Sequence, residues 1–295
     1  MTMLVVGMPG NELFATSLAN HLGADYVTVA EHRFPDEEVL VRFPRKIENL
    51  DIVLVCTLDR PDNKIMPLLF AAGTARQLGA KRVGLVAPYL CYMRQDKVFH
   101  EGEAISARLF AKIMSQNLDW IATVEPHLHR IHTLHEMFGI PAIAVHADKT
   151  IADWIGREVQ NPILIGPDSE SAQWLEAVAA RIGCPFSVLA KERRGDDRVI
   201  VSQIDPYILA SRRPVILDDV ISTGQTILQA SASLKNAGTG KPVVVGVHGV
   251  FASNAYALVE SAASRVVTTN TILHHSNNID IVPCVARAIR EQSSI

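Results

Sequence analysis

Short apolar runs alternate along the chain with longer amphipathic stretches. The apolar runs are rich in Val and Ile and show little alternation with polar residues, which is typical of strands covered on both faces. Strand–helix–strand repetition of this kind predicts α/β architecture with a parallel sheet. The predicted strands are residues 4–6, 26–29, 52–56, 83–87, 121–124, 163–165, 215–217, 243–247 and 266–268.

Amphipathic stretches with helical spacing lie between these strands. Glycines stand close to where four of the helices should stop, and each offers the left-handed conformation that commonly ends a helix. The glycines are Gly23, Gly79, Gly183 and Gly238. The predicted helices are residues 11–22, 66–78, 105–116, 169–181 and 226–237.

Two segments of the chain are built alike. Residues 52–88 run strand, loop with Asp59, helix, glycine and strand, and residues 213–251 repeat this order with Asp218 and Asp219 in the loop. A chain of two similar halves, divided near residues 146–149, explains the likeness. The general similarity of all α/β units explains it equally well, so both explanations stay open here.

Composition and charge exclude several classes of protein. Domains commonly hold roughly 100–200 residues, so a chain of 295 residues is expected to form two. Hydrophobic residues make up 48% and charged residues 20%, an ordinary globular composition. The 31 acidic and 28 basic residues give a formal charge of −3. We therefore expect neither nucleic acid nor an anionic membrane as a partner.

The chain carries no sign of export. The segment MTMLVVGMPG lacks the features of a secretory signal, and no stretch approaches the ~20 apolar residues that cross a bilayer. The four cysteines are scattered without a C-x-x-C pair, which indicates buried thiols in a reducing compartment. We expect a cytoplasmic protein.

Residues 215–226, VILDDVISTGQT, form the most specific motif in the chain. An apolar strand ends in Asp218 and Asp219, and a short hydroxyl-rich loop then opens a helix. Backbone N–H groups and hydroxyls of such a loop can surround a phosphate, and the helix N-terminus adds a favourable field. The two carboxylates lie too near the phosphate to bind it and suit sugar hydroxyls or a metal ion. Helix capping explains one Asp or Thr, but not two acids followed by S-T-G-x-T.

This motif resembles the phosphoribosyl pyrophosphate loop of the phosphoribosyltransferase-like fold. Transferases and the synthetases that make their shared substrate both carry it. The resemblance implies that Asp218 and Asp219 face the ribose hydroxyls. Family members often have glycine where this chain has Gln225, a side chain that would alter the loop geometry. The residues implied to hold the 5-phosphate are Ser222, Thr223, Gly224, Gln225 and Thr226.

Residues 87–106 resemble ribose-phosphate pyrophosphokinases specifically, through APYLCYMRQDK followed by GEAIS. A strand leads there into a loop with Arg94 and Lys97, whose cationic groups suit ATP phosphates. The resemblance implies that Arg94 and Gln95 contact ATP. R-Q-D-K alone is more typical of a solvated charged loop, and the flanking P-Y-x-x-Y and E-A-I-S make the match specific.

Residues 33–38, RFPDEE, match a family loop with the pattern F-x-D-x-E that reaches into a neighbouring subunit. The resemblance implies that Phe34 stacks on adenine while Asp36 and Glu38 meet its polar edge. The six residues by themselves fit a turn with a partly buried Phe equally well. The resemblance also implies a homo-oligomer whose ATP site is shared between subunits.

Residues 191–194, KERR, fit the K-x-R pattern that the family carries at the root of a mobile loop. The resemblance implies that Lys191 and Arg193 close over the transferring phosphoryl group, with Arg193 also meeting ribose 5-phosphate. Phosphoryl transfer depends mainly on positioning and charge compensation, so cations that arrive after the substrate suit it. By themselves, without the resemblance, residues 191–194 are more typical of an exposed basic turn.

Four histidines lie close together in residues 125–138. Their spacing lacks the H-E-x-x-H arrangement of zinc sites, and ATP chemistry favours Mg²⁺, which takes few protein ligands. The segment resembles the strand end that carries a metal-linked histidine in the synthetases, here His127, with Asp168 as its partner. Because Glu125-Pro126 replaces the usual Asp-Leu, His129 is an alternative ligand. We interpret His132 and His135 as surface or packing residues.

The resemblance covers residues from 7 to about 250, with the motifs in family order. It implies two phosphoribosyltransferase-like α/β domains, each a mainly parallel sheet flanked by helices. Residues 1–146 would form the ATP-side domain and residues 147–295 the domain that binds ribose 5-phosphate. The implied activity is Mg²⁺-dependent transfer of the β,γ-diphosphate of ATP to the 1-hydroxyl of ribose 5-phosphate, a step of nucleotide biosynthesis that releases AMP.

Two other functions fit parts of the pattern. A phosphoribosyltransferase uses the same phosphate loop, but it needs a base-binding hood and has no use for a second half with R-Q-D-K. A non-catalytic regulatory or sensor paralogue would keep the ligand loops. Such proteins typically lose the flexible-loop cations, which this chain retains as Lys191 and Arg193.

Overall fold

The computed structural model describes residues 3–128, 133–168, 171–189, 191–194, 198–201, 209 and 211–293. For residues 173, 191–194, 198–201, 292 and 293 it describes the backbone alone. The chain divides into two compact units, Met1–His146 together with Val282–Ile295, and Ala147–Ile281.

The first unit is built on a six-stranded parallel sheet in the order β2-β1-β5-β6-β7-β8, beside a separate antiparallel ribbon of β3 and β4. Its strands are β1 Met3–Gly7, β2 Asp25–Thr28, β3 Ala30–Arg33, β4 Val39–Arg42, β5 Asp51–Val55, β6 Arg82–Ala87, β7 Trp120–Val124 and β8 Ala142–Val145. Its helices are α1 Glu12–Leu22, α2 Asp62–Gln77, α3 Ser106–Asn117 and the C-terminal helix Val282–Ser293.

The C-terminal helix contacts α1, β7 and β8 of the first unit. The sequence resemblance places residues 147–295 in the second domain; the second unit of the structure begins at the same residue, Ala147, but ends at Ile281, and the C-terminal helix belongs to the first unit. Ile289 of this helix is 1% exposed, which shows how fully its apolar face is covered.

The second unit repeats the architecture of the first. A six-stranded parallel sheet has the order β10-β9-β13-β14-β15-β16, and β11 and β12 form a separate antiparallel ribbon. The strands are β9 Pro162–Gly166, β10 Phe186–Val188, β11 Lys191–Arg194, β12 Arg198–Val201, β13 Arg213–Ile221, β14 Val243–Gly249, β15 Arg265–Thr269 and β16 Asn277–Ile279. The helices are α4 Asp148–Glu158, α5 Ala172–Ile182, α6 Gln225–Asn236 and α7 Ala255–Ala262.

The two sheets have the same topology. Counting only the strands of the six-stranded sheet in chain order, the second strand of each unit lies at the edge, and the first and third strands are neighbours. The antiparallel ribbon is inserted in the chain between the second and third of these strands. Strand β5 thus corresponds to β13, and α2 to α6. Of the two explanations left open by the sequence, the structure supports two halves built on one plan.

Burial explains why the central strands show no polar alternation. Every residue of β7, β9 and β14 is buried, and in β1 and β5 only the first residue is partly accessible. Strands covered on both faces need apolar side chains on both faces, so they read as continuous apolar runs. Among the described residues, no helix is long and apolar enough to cross a membrane.

Candidate active site

Three carboxylates lie together at the carboxyl end of two adjacent strands in the second unit. Strand β13 runs on to Ile221, so Asp218 and Asp219 stand inside it and not after it. Strand β9 ends at Gly166 and pairs with β13 only as far as Ile216, which places Asp168 beside the two acids. Parallel strands end at the same edge of a sheet, and this edge is where α/β proteins bind ligands.

The environment of Asp218 favours its neutral form. Burial raises the pKa of Asp218 well above its usual value, and the negative charges of Asp219 and Asp168 raise it further. A charged carboxylate is costly at such a site unless a hydrogen-bond donor or a cation meets it. The group is therefore suited to a ligand that brings hydroxyls or a metal ion.

The predicted phosphate loop connects β13 to α6. Gly224 has a φ of 76°, in the left-handed region that favours glycine, and its carbonyl accepts a hydrogen bond from Leu228 N at 2.9 Å. No described side chain caps α6, and the nearest approach is Thr223 Oγ1, 3.5 Å from Gln225 N. The helix N-terminus, with its N–H groups directed at the loop, is therefore suited to an anion.

A second loop supports the phosphate loop from behind. Phe251 N donates to Ile221 O, and Ala252 N donates to Ser222 O, both at 3.0 Å. Phe251 has a φ of 43° although it is not glycine, and its buried ring packs at 4.7 Å between centroids against His274. The sequence motif does not indicate this support, because the supporting residues follow the next strand.

Lys191 and Arg193 lie in β11, opposite Val201 and Val199 of β12. The ribbon occupies the same topological place in the second unit that β3 and β4 occupy in the first. The segments KERR and RFPDEE, which the resemblance implies to be functional, therefore lie in equivalent ribbons of the two units.

The tip of the first ribbon carries Phe34, Asp36 and Glu38, all of them exposed. Phe34 N donates to Glu38 O at 2.8 Å, and Glu38 N donates to Asp36 Oδ1 at 3.3 Å. Phe34 is 41% exposed, and among the described aromatic contacts its ring meets only the His32 ring, which is nearly perpendicular to it at 4.6 Å between centroids. An accessible phenyl ring flanked by two carboxylates has the character of a recognition element and not of a core residue.

Arg94 and Gln95 lie in the loop after β6, and both are exposed. Gln95 N donates to Tyr92 O at 2.9 Å, and Ala107 N of α3 donates to Gln95 O at 3.3 Å. Further along the loop, Glu103 accepts hydrogen bonds from the backbone N–H groups of Phe99 and His100. These hydrogen bonds thus hold the backbone of the loop at both ends, while the side chain of Arg94 stays accessible.

His127 follows β7, at the same carboxyl edge of the first sheet as Arg94. Two residues earlier, Glu125 has a φ of 34°, and its N–H donates to Val145 O at 3.0 Å. Glu125 Oε2 lies 3.5 Å from His146 Nδ1. His135 is exposed in a short 3-10 turn, Leu134–Glu136. The alternative ligand His129, and likewise His132, lie outside the described residues.

The carboxylates are the donors best suited to a divalent cation. Within the described ranges, no three His, Cys, Asp or Glu side chains are grouped closely enough to enclose a metal ion by themselves. Mg²⁺ keeps several waters and is commonly held by one or two carboxylates plus substrate phosphates. Asp168, beside the partly buried Asp218 and Asp219, is a donor that suits an ion of that kind better than zinc.

Two protein-family models match this chain in succession. A model described as the N-terminal domain of ribose phosphate pyrophosphokinase matches residues 3–117. A phosphoribosyl transferase domain model matches residues 135–286. These spans confirm the likeness that the motifs indicated: residues 33–38 and 87–106 lie within the first span, and residues 191–194 and 215–226 lie within the second.

Relatives match the chain over nearly its whole length. A ribose-phosphate pyrophosphokinase of Saccharolobus solfataricus is 32% identical, covering 95% of this chain and 96% of its own. One from Methanopyrus kandleri is 30% identical over 99% of this chain and 100% of its own. The crystal structure of phosphoribosylpyrophosphate synthetase from Mycobacterium smegmatis superposes with a TM-score of 0.86 at 24% identity, over 100% of this chain and 99% of that one. The expected two-domain fold is confirmed.

Proposed function

The chain belongs to the ribose-phosphate pyrophosphokinase family, and on that premise we propose the reaction and the part that each of its residues plays. The enzyme transfers the β,γ-diphosphate of ATP to the 1-hydroxyl of ribose 5-phosphate. The oxygen of that hydroxyl bonds to the β-phosphorus, the bond from the β-phosphorus to the oxygen shared with the α-phosphate breaks, and AMP leaves. The products are phosphoribosyl pyrophosphate and AMP.

The observation that carries the proposal is the junction of carboxylates and phosphate loop at the end of β13. Asp218 and Asp219 precede a loop that ends at an uncapped helix N-terminus, within the described residues, and Asp168 lies beside them. A ribose ester presents hydroxyls at one end and a phosphate at the other. The carboxylates of Asp218 and Asp219 can accept hydrogen bonds from the hydroxyls, and the N–H groups of the loop that follows can donate to the phosphate, so the site matches that order.

The ribose 5-phosphate site comes from the second unit. Asp218 and Asp219 accept hydrogen bonds from the ribose hydroxyls, and Asp219 is assigned the proton that leaves the 1-hydroxyl. The 5-phosphate binds the backbone N–H groups and hydroxyls of the loop, whose residues are Ser222, Thr223, Gly224, Gln225 and Thr226.

The ATP site comes from the first unit and from the ribbon tip of a second copy. Arg94 and Gln95 bind the triphosphate, and the exposed Phe34 stacks on adenine while Asp36 and Glu38 bind its amino edge. This assignment requires a homo-oligomer, because the tip belongs to a neighbouring subunit.

Charge compensation is the main catalytic task in phosphoryl transfer. Lys191 and Arg193 supply it from the ribbon β11–β12, with Arg193 also binding ribose 5-phosphate. Mg²⁺, when bound, would screen the phosphate oxygens and make the β-phosphorus more electrophilic. His127 and Asp168 are the residues assigned to hold it. The proposed location of the enzyme is the cytoplasm.

Product analysis tests this function against its rivals. Purified protein is incubated with MgATP and ribose 5-phosphate, and AMP and phosphoribosyl pyrophosphate are measured by chromatography. Formation of both in equal amounts supports the proposal. Binding of ribose 5-phosphate without turnover would support the sensor alternative. Consumption of phosphoribosyl pyrophosphate in the presence of a nucleobase, without AMP formation from ATP, would support a phosphoribosyltransferase.

A further inference from the structure

The segment after β5 has the same topological place in the first unit as the phosphate loop has in the second. Its sequence, CTLDRPD at residues 56–62, lacks the S-T-G-x-T pattern. Lys64 of α2 turns back on the segment, where its Nζ donates to Thr57 O at 2.9 Å and pairs with the Asp59 carboxylate. Asn11 Oδ1 accepts from Thr57 N at 2.7 Å. These polar groups of the segment are thus engaged within the protein.

This segment supports the neighbouring loop that carries Arg94 and Gln95. Leu58 N donates to Tyr89 O at 3.0 Å, at the start of that loop. Three residues later along the loop, Tyr92 donates its hydroxyl hydrogen to Asp62 Oδ1 at 2.9 Å. The counterpart of the phosphate loop therefore holds the ATP-binding loop at two points.

Tyr92 stands where that loop passes from the core to the surface. The side chains on either side, Cys91 and Met93, are 3% and 2% exposed, while Arg94 and Gln95 are exposed. Gln95 N donates to Tyr92 O at 2.9 Å and closes the turn. A change in the backbone conformation of Tyr92 would therefore displace the two residues assigned to ATP.

The conformation of Tyr92 is one that the surrounding contacts must maintain. Its φ of 64° lies in the left-handed region, which costs a residue with a Cβ roughly 1–2 kcal/mol. The Phe110 ring packs against it at 5.4 Å between centroids. Burial and the bond to Asp62 raise the pKa of Tyr92 to about 12, which agrees with the phenol acting as the hydrogen-bond donor to Asp62. Strained residues held by several contacts are characteristic of functional loops.

We propose that Tyr92 is a positioning residue for ATP, held by Asp62 so that Arg94 and Gln95 are ordered before the nucleotide arrives. The inference rests on the proposed function and adds two residues to it. Tyr92 and Asp62 touch neither substrate; they act by reducing the conformational freedom that the loop loses on binding, which is the usual source of preorganised affinity. Their loss should weaken ATP binding without weakening ribose 5-phosphate binding.

Calorimetric titration of the full-length protein with MgATP, and separately with ribose 5-phosphate, tests the inference. Tyr92→Phe keeps the ring and removes the hydroxyl, and its ATP dissociation constant should rise about fivefold, the factor expected for one net hydrogen bond. Asp62→Ala should show the same rise. Asp62→Asn retains an acceptor oxygen and should bind ATP within about twofold of wild type, and the Tyr92→Phe/Asp62→Ala double variant should be no weaker than either single one.

Tyr26→Phe is the matched control. It removes a hydroxyl of the same unit that bonds to Thr28 Oγ1 at 2.6 Å, and it should leave the ATP dissociation constant unchanged. The inference is overturned if Tyr92→Phe binds ATP as wild type does. It is equally overturned if Tyr92→Phe weakens ATP and ribose 5-phosphate binding by the same factor, since that result indicates a general structural role.

The proposed function is tested apart from this inference, by product formation in the wild-type chain. A wild-type protein that forms no AMP would refute the function, whereas an active wild type with unaltered ATP affinity in Tyr92→Phe would refute only the role of Tyr92. The dissociation constants can be measured whether or not the wild-type protein forms AMP. Product formation therefore decides the proposed function, and the dissociation constants decide the role of Tyr92.

Discussion

Gly224 and Val259 pack so closely that a side chain at position 224 has no room. A Cβ on Gly224 would lie 2.6 Å from Cγ2 of Val259, far inside van der Waals contact. The φ of 76° at Gly224 would strain any L-residue besides. Helix α7 therefore limits the phosphate loop to glycine by contact as well as by backbone conformation.

Gly224→Ala should lower both stability and ribose 5-phosphate affinity. The backbone strain alone costs roughly 1–2 kcal/mol, and the contact with Val259 adds to it. Adding Val259→Ala should recover the part of the lost stability that comes from the steric contact and leave the part that comes from backbone strain. Gly240→Ala is the control, because nothing lies within 4 Å of its added Cβ. Thermal unfolding and calorimetry check the prediction, and a Gly224→Ala protein equal to Gly240→Ala would contradict it.

Asp218→Asn should make the unliganded protein more stable at neutral pH. Burial, then Asp219 and Asp168, raise the pKa of Asp218, so the folded protein holds this proton more tightly than the unfolded chain. The stabilising contribution is complete below the unfolded pKa of about 3.9 and is lost as the pH rises through the folded pKa. Asn stays neutral, so the stability gained over wild type should grow with pH.

Denaturant unfolding in the presence of a chelator, from acid to neutral pH, measures this gain. Asp153→Asn is the control, because Lys149 lowers the pKa of that exposed carboxyl and its replacement removes no buried charge. The same Asp218→Asn protein should bind ribose 5-phosphate more weakly. A gain that shrinks with rising pH would contradict the assigned direction of the pKa shift.

Two inactive variants should restore activity together if the ATP site is shared between subunits. Phe34→Ala damages the ribbon tip, and Asp219→Asn damages the ribose site. In a mixed oligomer, an intact tip from the Asp219→Asn subunit meets an intact ribose site of the Phe34→Ala subunit. Co-expressed subunits carrying different tags are purified in tandem and assayed. Activity no higher than that of the separate variants would show that one subunit holds the whole site.

Lys191→Ala should reduce turnover far more than binding. A cation that compensates developing charge acts mainly in the transition state, so kcat should fall by about 10²-fold or more while substrate dissociation constants change only a few-fold. Lys235→Ala, in the last turn of α6, is the control and should retain normal kcat. An equal effect on kcat and on both dissociation constants would mean that Lys191 serves ground-state binding.

The buried central strands could be predicted from sequence, whereas β2 is the one edge strand of the two described sheets that the predicted strands include. Strands such as β9 are wholly buried, so apolar runs mark them. Strand β3, AEHR, is mostly exposed and has no apolar run, and in β4, VLVR, every second residue is exposed, so neither has the burial on both faces that the apolar runs indicate. Helix α4 is missing from the predicted helices, although the helical spacing of its buried residues Ile151, Trp154 and Ile155 is a sequence signal for it.

The candidate site shows the same limit. The strand–loop–helix arrangement of residues 215–226 could be predicted because all its parts are contiguous in the chain. The bond between Tyr92 and Asp62 joins residues 30 positions apart, and the left-handed turn at Tyr92 falls on a residue type that does not suggest it. The place of the C-terminal helix on the first unit likewise depends on a contact between the two ends of the chain, such as Arg290 with the carbonyl of His21.

The most direct test of the central claim follows the phosphates of ATP. Wild-type protein is incubated with ribose 5-phosphate and Mg²⁺ together with ATP labelled at either the α- or the γ-phosphate, and the products are separated. Attack at the β-phosphorus predicts that the γ-label enters the sugar product and the α-label stays in AMP. A γ-label recovered as free phosphate or in a sugar that carries a single added phosphate, with ADP as the other product, would contradict the account.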